Sequence, residues 1–335
     1  MIRQIFEYHP VLAYRFIPGI SSRLSRPDGG GYLVRANQQG FRCDHDFEPQ
    51  KGPGEKRILL FGDSFTAGDG VSNGKRFGDL LESKIAGTTV YNFGLPGSGT
   101  DQHYLAYREF ANEIEHDVLV IAALVENIRR VAARYRYFTD DEGRRVCFAK
   151  PYFEVTDGNV ELRGVPVPRK PLAEEDIPPE DRPFIDRGVG GNYGFLKNLV
   201  IRLGLKETAQ RLMGFDPVPE YRDPQGRPWR TMSAILREWI SNHPKPVLLI
   251  PIPLYQHVEG ISPPEHYSKR FAELSMELGC SFYDVLPDLL GLPLSQRKGL
   301  RFASDNHLTE VGHATFADLI YPHLRSLLSP PEDKP

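Results

Sequence analysis

The chain has 335 residues, of which 25% are charged and 40% hydrophobic, and its formal net charge is -3. This balance does not indicate a basic nucleic-acid-binding surface or a disordered acidic tail. Residues 1–7 contain no basic segment followed by an apolar stretch, and no later run approaches a membrane span. We therefore expect a cytoplasmic protein that neither inserts into membranes nor binds nucleic acid. Its three separated cysteines predict neither a disulfide framework nor a metal site.

The amino-terminal segment, residues 1–54, is rich in Pro, Gly and Arg, with only short apolar pieces such as Tyr32-Leu33-Val34. Clustered Pro and Gly are typical of turns, and the low apolar content argues against an independent fold. We therefore predict an arm packed on a single domain of residues 55–330. The last residues, 331–335, are predicted to be a flexible tail.

Short apolar strands then alternate with helices. A buried strand is predicted at 58–61, bounded by charge and by Gly62, and further strands are predicted at 88–93, 117–123, 246–251 and 280–284. Helices are predicted over 77–85, from Thr100 or Asp101 toward 115, and over 232–241, 265–278 and 309–328. The buried face of the last helix is predicted to hold Val311, Phe316, Ile320, Leu324 and Leu327. This alternation predicts an α/β fold with a parallel sheet between two helix layers.

The alternation breaks from about residue 134 to residue 230, where tyrosines, arginines and prolines accumulate. Such composition predicts an irregular insertion rather than a core layer. Within it, residues 195–203 have a helix-like pattern. This helix is compatible with a lid over a site and equally with ordinary packing.

Ser64 directly follows the first predicted strand, at the sheet edge where open α/β folds place their chemistry. A serine hydroxyl becomes a strong nucleophile only when a base takes its proton. Asp305 and His307 are two residues apart and share one side of an extended segment, so they suit the roles of orienting acid and base. The tripeptide containing Ser64 is by itself equally compatible with a helix cap, but the later partners favour catalysis.

The turns after the second and third strands offer donors for an oxyanion: the Gly97 N–H and the Asn127 amide. Arg129 and Arg130 follow Asn127 directly and are compatible either with surface charge or with binding of a carboxylate, phosphate or sugar hydroxyl. Asp63 is expected to be a turn or helix-start residue and is a further candidate for substrate binding.

No metal or cofactor is expected. His307 and His313 are six residues apart and lack an accompanying ligand set, so His313 is predicted to pack on the closing helix.

These residues occur in the order of the conserved blocks of the SGNH, or GDSL, hydrolase superfamily, which the chain resembles over residues 57–313. The resemblance implies a flavodoxin-like three-layer α/β/α sandwich with a central, mainly parallel five-stranded sheet. It also implies a serine nucleophile, an Asp/His pair, and an oxyanion hole formed by Ser64, Gly97 and Asn127. Many members have Asp-x-x-His in the last block, whereas Ser304 stands three residues before His307 here. In the third block, Asn127 is followed by Ile128 rather than by the common Asp.

The expected activity is that of a serine esterase. Because the insertion is rich in Tyr and Arg and lacks a long apolar stripe, we expect a small acyl group, such as acetyl, on a carbohydrate or glycoconjugate. The same site is compatible with an O-acyltransferase that passes the acyl group to a sugar. An inactive carbohydrate-binding relative is a third interpretation. The sequence indicates no oligomeric state.

Overall fold

The structure is a computed structural model, and it describes residues 5–26, 28–139, 144–186, 210–211, 213–303 and 305–329. The helix predicted at 195–203 and the tail predicted at 331–335 lie outside these residues. The strands are β1 Phe6–His9, β2 Ala13–Phe16, β3 Ser21–Ser25, β4 Gly31–Arg35, β5 Lys56–Gly62, β6 Thr88–Asn92, β7 Val118–Leu124, β8 Tyr135–Thr139, β9 Arg145–Ala149, β10 Tyr152–Thr156, β11 Asn159–Arg163, β12 Val247–Ile252 and β13 Ser281–Phe282.

The α-helices are numbered in chain order, and the last of them, Glu310–Leu328, is capped by the Thr309 side chain. Their bounds are α1 Ser64–Ala67, α2 Phe77–Lys84, α3 Thr100–Ala106, α4 Asn127–Ala132, α5 Arg227–Ser241, α6 Tyr255–Val258, α7 Glu265–Leu278, α8 Leu286–Leu290, α9 Leu294–Gly299 and α10 Glu310–Leu328. The helix predicted to run to residue 115 is shorter, because α3 continues only as a π-helical segment, Tyr107–Ala111.

A five-stranded sheet in the order β13-β12-β7-β5-β6 forms the centre, and every neighbouring pair is parallel. Every residue of β7 and β12 is buried, since helices cover both faces of the sheet. Helix α10 packs against α2, while α5 packs against α3, α4 and α7. The predicted fold class and all five predicted strands are confirmed.

The buried face of α10 differs from the prediction at its start. Val311 is 64% exposed, and the buried positions instead begin at Gly312 and His313 and continue through Phe316. Five residues separate Val311 from Phe316, which places them about 140° apart around a helix of 3.6 residues per turn. The prediction for Val311 was therefore wrong.

The amino-terminal residues form two antiparallel hairpins, β1–β2 and β3–β4, that share the core of the sheet domain. Phe41 and Phe47 pack on Phe93 with ring centroids 5.0 and 4.2 Å apart, and Phe93 stacks on Phe61 of β5 at 4.5 Å. The arm is thus joined to the central sheet by a continuous aromatic cluster.

The insertion is more regular than predicted over the described residues of 135–163. It contains the antiparallel hairpins β8–β9 and β10–β11, together with short 3-10 helices that include Pro219–Arg222. These strands lie outside the main sheet, and the second hairpin packs on α5. In the described ranges, no helix combines the length and the apolarity needed to cross a membrane.

Candidate active site

Ser64 is the first residue of α1, immediately beyond the buried strand β5. The turn between them is compact: a Cβ on Gly62 would overlap the Thr66 side chain and lie 2.9 Å from the Ala122 carbonyl oxygen. Asp63 caps α1 by accepting a 3.1 Å hydrogen bond from the Phe65 N–H. The close packing at Gly62 and this cap hold Ser64 at the carboxyl edge of the sheet.

The loop before α10 brings His307 to Ser64. The His307 Nε2 atom lies 2.8 Å from the Ser64 Oγ atom, and His307 Nδ1 lies 2.7 Å from Asp305 Oδ1. The same Asp305 oxygen accepts the His307 backbone N–H at 3.2 Å. An imidazole that donates from Nδ1 to the carboxylate presents Nε2 as an acceptor for the serine proton. The three predicted residues thus form a continuous hydrogen-bonded chain.

The loop itself is closed by backbone contacts. The Phe302 N–H donates to the His307 carbonyl at 3.0 Å, and an antiparallel bridge joins Arg301 to Leu308. These contacts set the position of the imidazole before any substrate binds.

Charges around the imidazole alter its protonation. Burial acts to lower the pKa of His307, but the hydrogen bond to Asp305 and the charges of Asp69, Asp305 and Asp63 outweigh it and raise that pKa above its ordinary value. Burial likewise acts to raise the pKa of Asp305, yet its hydrogen bonds with His307 and the charge of that ring lower it. Asp305 is therefore ionised at neutral pH, as an orienting carboxylate requires.

Asn127 begins α4 and its side chain is completely buried. Its Oδ1 atom accepts a 3.0 Å hydrogen bond from Arg130 Nη1. Its buried Nδ2 atom has no hydrogen-bond partner among the residues that the structure describes. Buried donors are usually satisfied in native proteins, so this amide is available to an oxygen of a bound molecule.

Gly97 lies in the turn after β6 with φ of +74°, and a Cβ there would overlap the Arg136 guanidinium. Arg136 donates to the Gly97 carbonyl, and the hydroxyl of Tyr14 donates to the Pro96 carbonyl at 2.6 Å. Arg136 also donates to the Tyr14 hydroxyl at 3.0 Å. One residue from the arm and one from the insertion thus hold the glycine turn.

Residues 58–135 match the family described as GDSL-like Lipase/Acylhydrolase. That stretch contains Ser64, Gly97 and Asn127 in the order observed around the site. Over these residues the chain is similar to this hydrolase family.

Several solved structures are similar to this chain. A lipolytic protein of the G-D-S-L family from Veillonella parvula is 13% identical, over 80% of this chain and 97% of its own, with a TM-score of 0.41. A lipase/acylhydrolase from Enterococcus faecalis is 16% identical, over 83% and 99%, with a TM-score of 0.43. A psychrotrophic esterase from Pseudoalteromonas is 11% identical, over 82% and 99%, with a TM-score of 0.42. No curated protein matches the chain.

The segment that carries His307 has Asp-x-His rather than Asp-x-x-His spacing, and the geometry shows which contacts this spacing permits. Asp305 reaches both the ring and the backbone N–H of His307, because a residue two positions earlier can fold back in an Asx-type turn. The shorter spacing therefore still permits a 2.7 Å contact to Nδ1.

The two arginines after Asn127 have different surroundings. Arg129 faces away, with Nε 2.5 Å from Glu220 and Nη2 2.5 Å from the Pro217 carbonyl oxygen. Arg130 is turned inward, and its Nη1 atom lies 2.7 Å from Asp63 Oδ2. The structure thus joins Arg130 and Asp63 to the Ser64 turn and leaves Arg129 bound to the insertion.

His313 is fully buried in α10 and accepts a 3.2 Å hydrogen bond from the Phe77 N–H through Nδ1. Burial and the charges of Arg76 and Arg42 lower the pKa of His313 to about 3. It packs in the core, as predicted. In the described ranges, no group of three or more His, Cys, Asp or Glu residues is arranged to hold a metal ion.

Tyr14 and Arg136 were not identified from the sequence as residues of the site. They are 82 and 39 residues distant in sequence from their partners in the glycine turn. Only a general bias toward Tyr and Arg in the insertion pointed to Arg136, and no motif pointed to Tyr14.

Proposed function

We propose that this protein is an esterase that removes a small acyl group, such as acetyl, from a polar molecule through an acyl-Ser64 intermediate. The observation that carries the proposal is the chain of contacts from Ser64 through His307 to Asp305, at 2.8 and 2.7 Å. The buried Nδ2 of Asn127, which has no hydrogen-bond partner in the described part of the chain, supports the proposal, because an acyl-transfer site needs a donor with no other partner.

In the first step, His307 Nε2 takes the Ser64 proton as Oγ attacks the ester carbonyl. The oxyanion forms against the N–H groups of Ser64 and Gly97 and the Asn127 amide. His307 then gives the proton to the leaving alcohol as the ester bond breaks, which leaves the acyl group on Ser64. Water repeats the sequence, with His307 as base, and releases the acid. General-base assistance of this kind contributes about 10²–10⁴-fold.

The described surroundings favour a small acyl group on a polar molecule. Beside Phe65 and Leu308, chain neighbours of Ser64 and His307, lies a small cavity whose wall is mostly apolar but includes the ion pair of Arg301 and Glu259. The glycine turn is bordered by Arg136, whose Nε lies 3.5 Å from Asp186. Charged groups at these positions suit hydroxyl-rich molecules better than long acyl chains, because their desolvation by an apolar chain is costly.

The test compares wild type with Ser64→Ala and Asp305→Asn on p-nitrophenyl acetate, butyrate and octanoate, and on glucose pentaacetate. Ser64→Ala should lower kcat by about 10⁶-fold, as loss of a serine nucleophile does elsewhere, and Asp305→Asn by about 10⁴-fold. Wild type should prefer acetate over octanoate. Ser83→Ala, a surface serine whose hydroxyl donates to the Leu80 carbonyl, serves as the control.

A fluorophosphonate probe separates the other interpretations. Labelling of wild type without hydrolysis would point to an acyltransferase that awaits its acceptor, and an inert wild type would favour a binding protein. Equal turnover in wild type and Ser64→Ala would overturn the assignment of the nucleophile.

A further inference from the structure

A single atom, Arg130 Nη1, touches all three loops that would supply the oxyanion donors. It lies 2.7 Å from Asp63 Oδ2, next to Ser64. It also lies 3.0 Å from the Ser98 carbonyl oxygen, next to Gly97, and 3.0 Å from Asn127 Oδ1. The two N–H groups of Nη1 thus donate to three acceptors, so at least one hydrogen is shared between two of the acceptors. The turns after β5 and β6 and the start of α4 meet at this guanidinium nitrogen.

The position of Arg130 is itself fixed by the fold. Its side chain is only 13% exposed, and that of its partner Asp63 is 1% exposed. The backbone carbonyl of Arg130 accepts a 3.1 Å hydrogen bond from Lys150 Nζ, which is ion-paired with buried Asp101. Because a buried charge pair with one partner removed is strongly unfavourable, Arg130 has little freedom to leave the site for the solvent.

The contact with Arg130 decides which way the Asn127 amide points. A guanidinium can only donate hydrogen bonds, so it binds the Oδ1 atom of the amide and not its NH₂ group. With Oδ1 bound to Arg130, Nδ2 must point the other way, where it is buried and without a partner among the described residues. Rotation of the amide by 180° would place two donors against each other and turn Oδ1 toward the oxyanion.

We propose that Arg130 is a positioning residue: it orients the Asn127 amide and ties it to the Ser64 and Gly97 loops, so that three oxyanion donors are held in place before substrate binds. This rests on the proposed function of Ser64 as the nucleophile. A lysine in its place would keep the charge but lose the planar fork that reaches several acceptors at once.

The test measures kcat and KM for p-nitrophenyl acetate in Arg130→Ala and Arg130→Lys. Both should lower kcat by about 10²-fold, comparable to loss of one oxyanion donor, with KM changed by less than about threefold. Arg237→Ala is the control, since Arg237 is also an arginine bound to a carboxylate, that of Glu277, but on the surface. That control should keep the wild-type kcat.

A double-mutant cycle distinguishes positioning from a purely structural role. In an Asn127→Ala background, Arg130→Ala should lower kcat by less than about tenfold, because the amide that it orients is already absent. Methylguanidinium added to Arg130→Ala should restore part of kcat, and it should restore less in the double variant. Equal effects of Arg130→Ala in both backgrounds, or a wild-type kcat in folded Arg130→Lys, would overturn the proposal.

The two proposals fail differently. If wild type is inert toward the ester and the fluorophosphonate probe, the proposed function fails. If wild type and the Arg237 control turn over and label while the Arg130 variants match them, only the positioning role fails. Thermal unfolding of each variant shows that a loss of kcat is not a loss of fold.

Discussion

The central sheet and the amino-terminal arm contribute to the site in opposite ways. The sheet positions the residues that we propose to react, since Ser64, Gly97 and Asn127 each follow a parallel strand at its carboxyl edge. The arm carries none of them, yet its side chains bind the backbone of the turns that hold Ser64 and Gly97. The comparison teaches that the sheet brings the groups to one edge, whereas the arm holds the turns in position.

Arg42 shows this holding role most clearly. Its side chain is completely buried and donates to the carbonyl groups of Ala67 at 2.8 Å and Gly68 at 2.6 Å, just after Ser64. It also donates to the Val71 carbonyl.

A second arginine of the arm, Arg26, lies over the ring of Phe302 at 5.3 Å, beside the His307 loop. The arm therefore contacts both the segment just after Ser64 and the loop that carries His307.

Among substitutions that remove contacts between the arm and the site, Arg42→Met is expected to have the largest effect. This change keeps apolar volume but leaves several buried carbonyls unsatisfied, each at about 1–3 kcal/mol, so we expect a loss of about 3–5 kcal/mol in the free energy of unfolding. Urea denaturation measures it. Arg35→Met is the control, because Arg35 pairs with Asp44 at the surface, and its loss should stay below about 1 kcal/mol. Equal losses in the two variants would contradict a special role for Arg42.

A smaller and more specific effect is expected for Tyr14→Phe. The ring remains, but the hydrogen bonds to the Pro96 carbonyl and from Arg136 are lost, so the glycine turn loosens. At about 0.5–1.5 kcal/mol of net hydrogen-bond energy, kcat should fall about 2- to 12-fold with KM nearly constant. In the control Tyr8→Phe, the lost bond is to the Val167 carbonyl of the insertion, and kcat should not change. A similar kcat loss in both variants would mean that the arm acts only through overall stability.

The smallest expected effect is on the pH dependence of activity, and it tests the residues around His307 rather than those of the arm. The raised pKa of His307 means that the imidazole becomes protonated, and activity is lost, as pH falls through a value above its ordinary 6.5. Asp69→Asn removes one charge that raises this pKa, so the acid limb of kcat/KM should move down by about 0.5 pH unit, the size of a screened Coulomb interaction. Asp318→Asn, on the exposed face of α10, is the control. An unchanged or upward-moved limb in Asp69→Asn would contradict the assignment.

Much of the sheet was predictable because its signals are local. The apolar runs that became β5, β6, β7, β12 and β13 are each complete within a few residues. The helix over Glu265–Leu278 was likewise predicted at about these bounds from apolar spacing. The hairpins of the insertion were missed, since strands that lie on the surface carry a mixed pattern that resembles irregular structure. Val311 was wrongly assigned to the buried face of α10, because which face of a helix is buried depends on the surface against which the helix packs.

The candidate site was predictable residue by residue but not in its supporting contacts. The order of Ser64, Gly97, Asn127, Asp305 and His307 is visible in the chain, and the structure brings Ser64, Asp305 and His307 into hydrogen-bond contact.

The two arginines that follow Asn127 could not be told apart from the sequence. A helix turns about 100° per residue and sends neighbouring side chains in different directions. Arg130 faces Asp63, while Arg129 faces Glu220.

The sequence by itself thus determined the class of fold, the strands that end at one edge, and the reactive residue types that follow them. Periodicity and turn chemistry encode these features over short stretches of chain. Only the tertiary structure decided that Asp305 reaches His307 from two residues away, that Arg130 joins three loops, and that Tyr14 and Arg42 hold the turns. Those contacts join groups as far as 82 residues apart in the chain, and directional hydrogen bonds between such groups exist only once the core has brought them together.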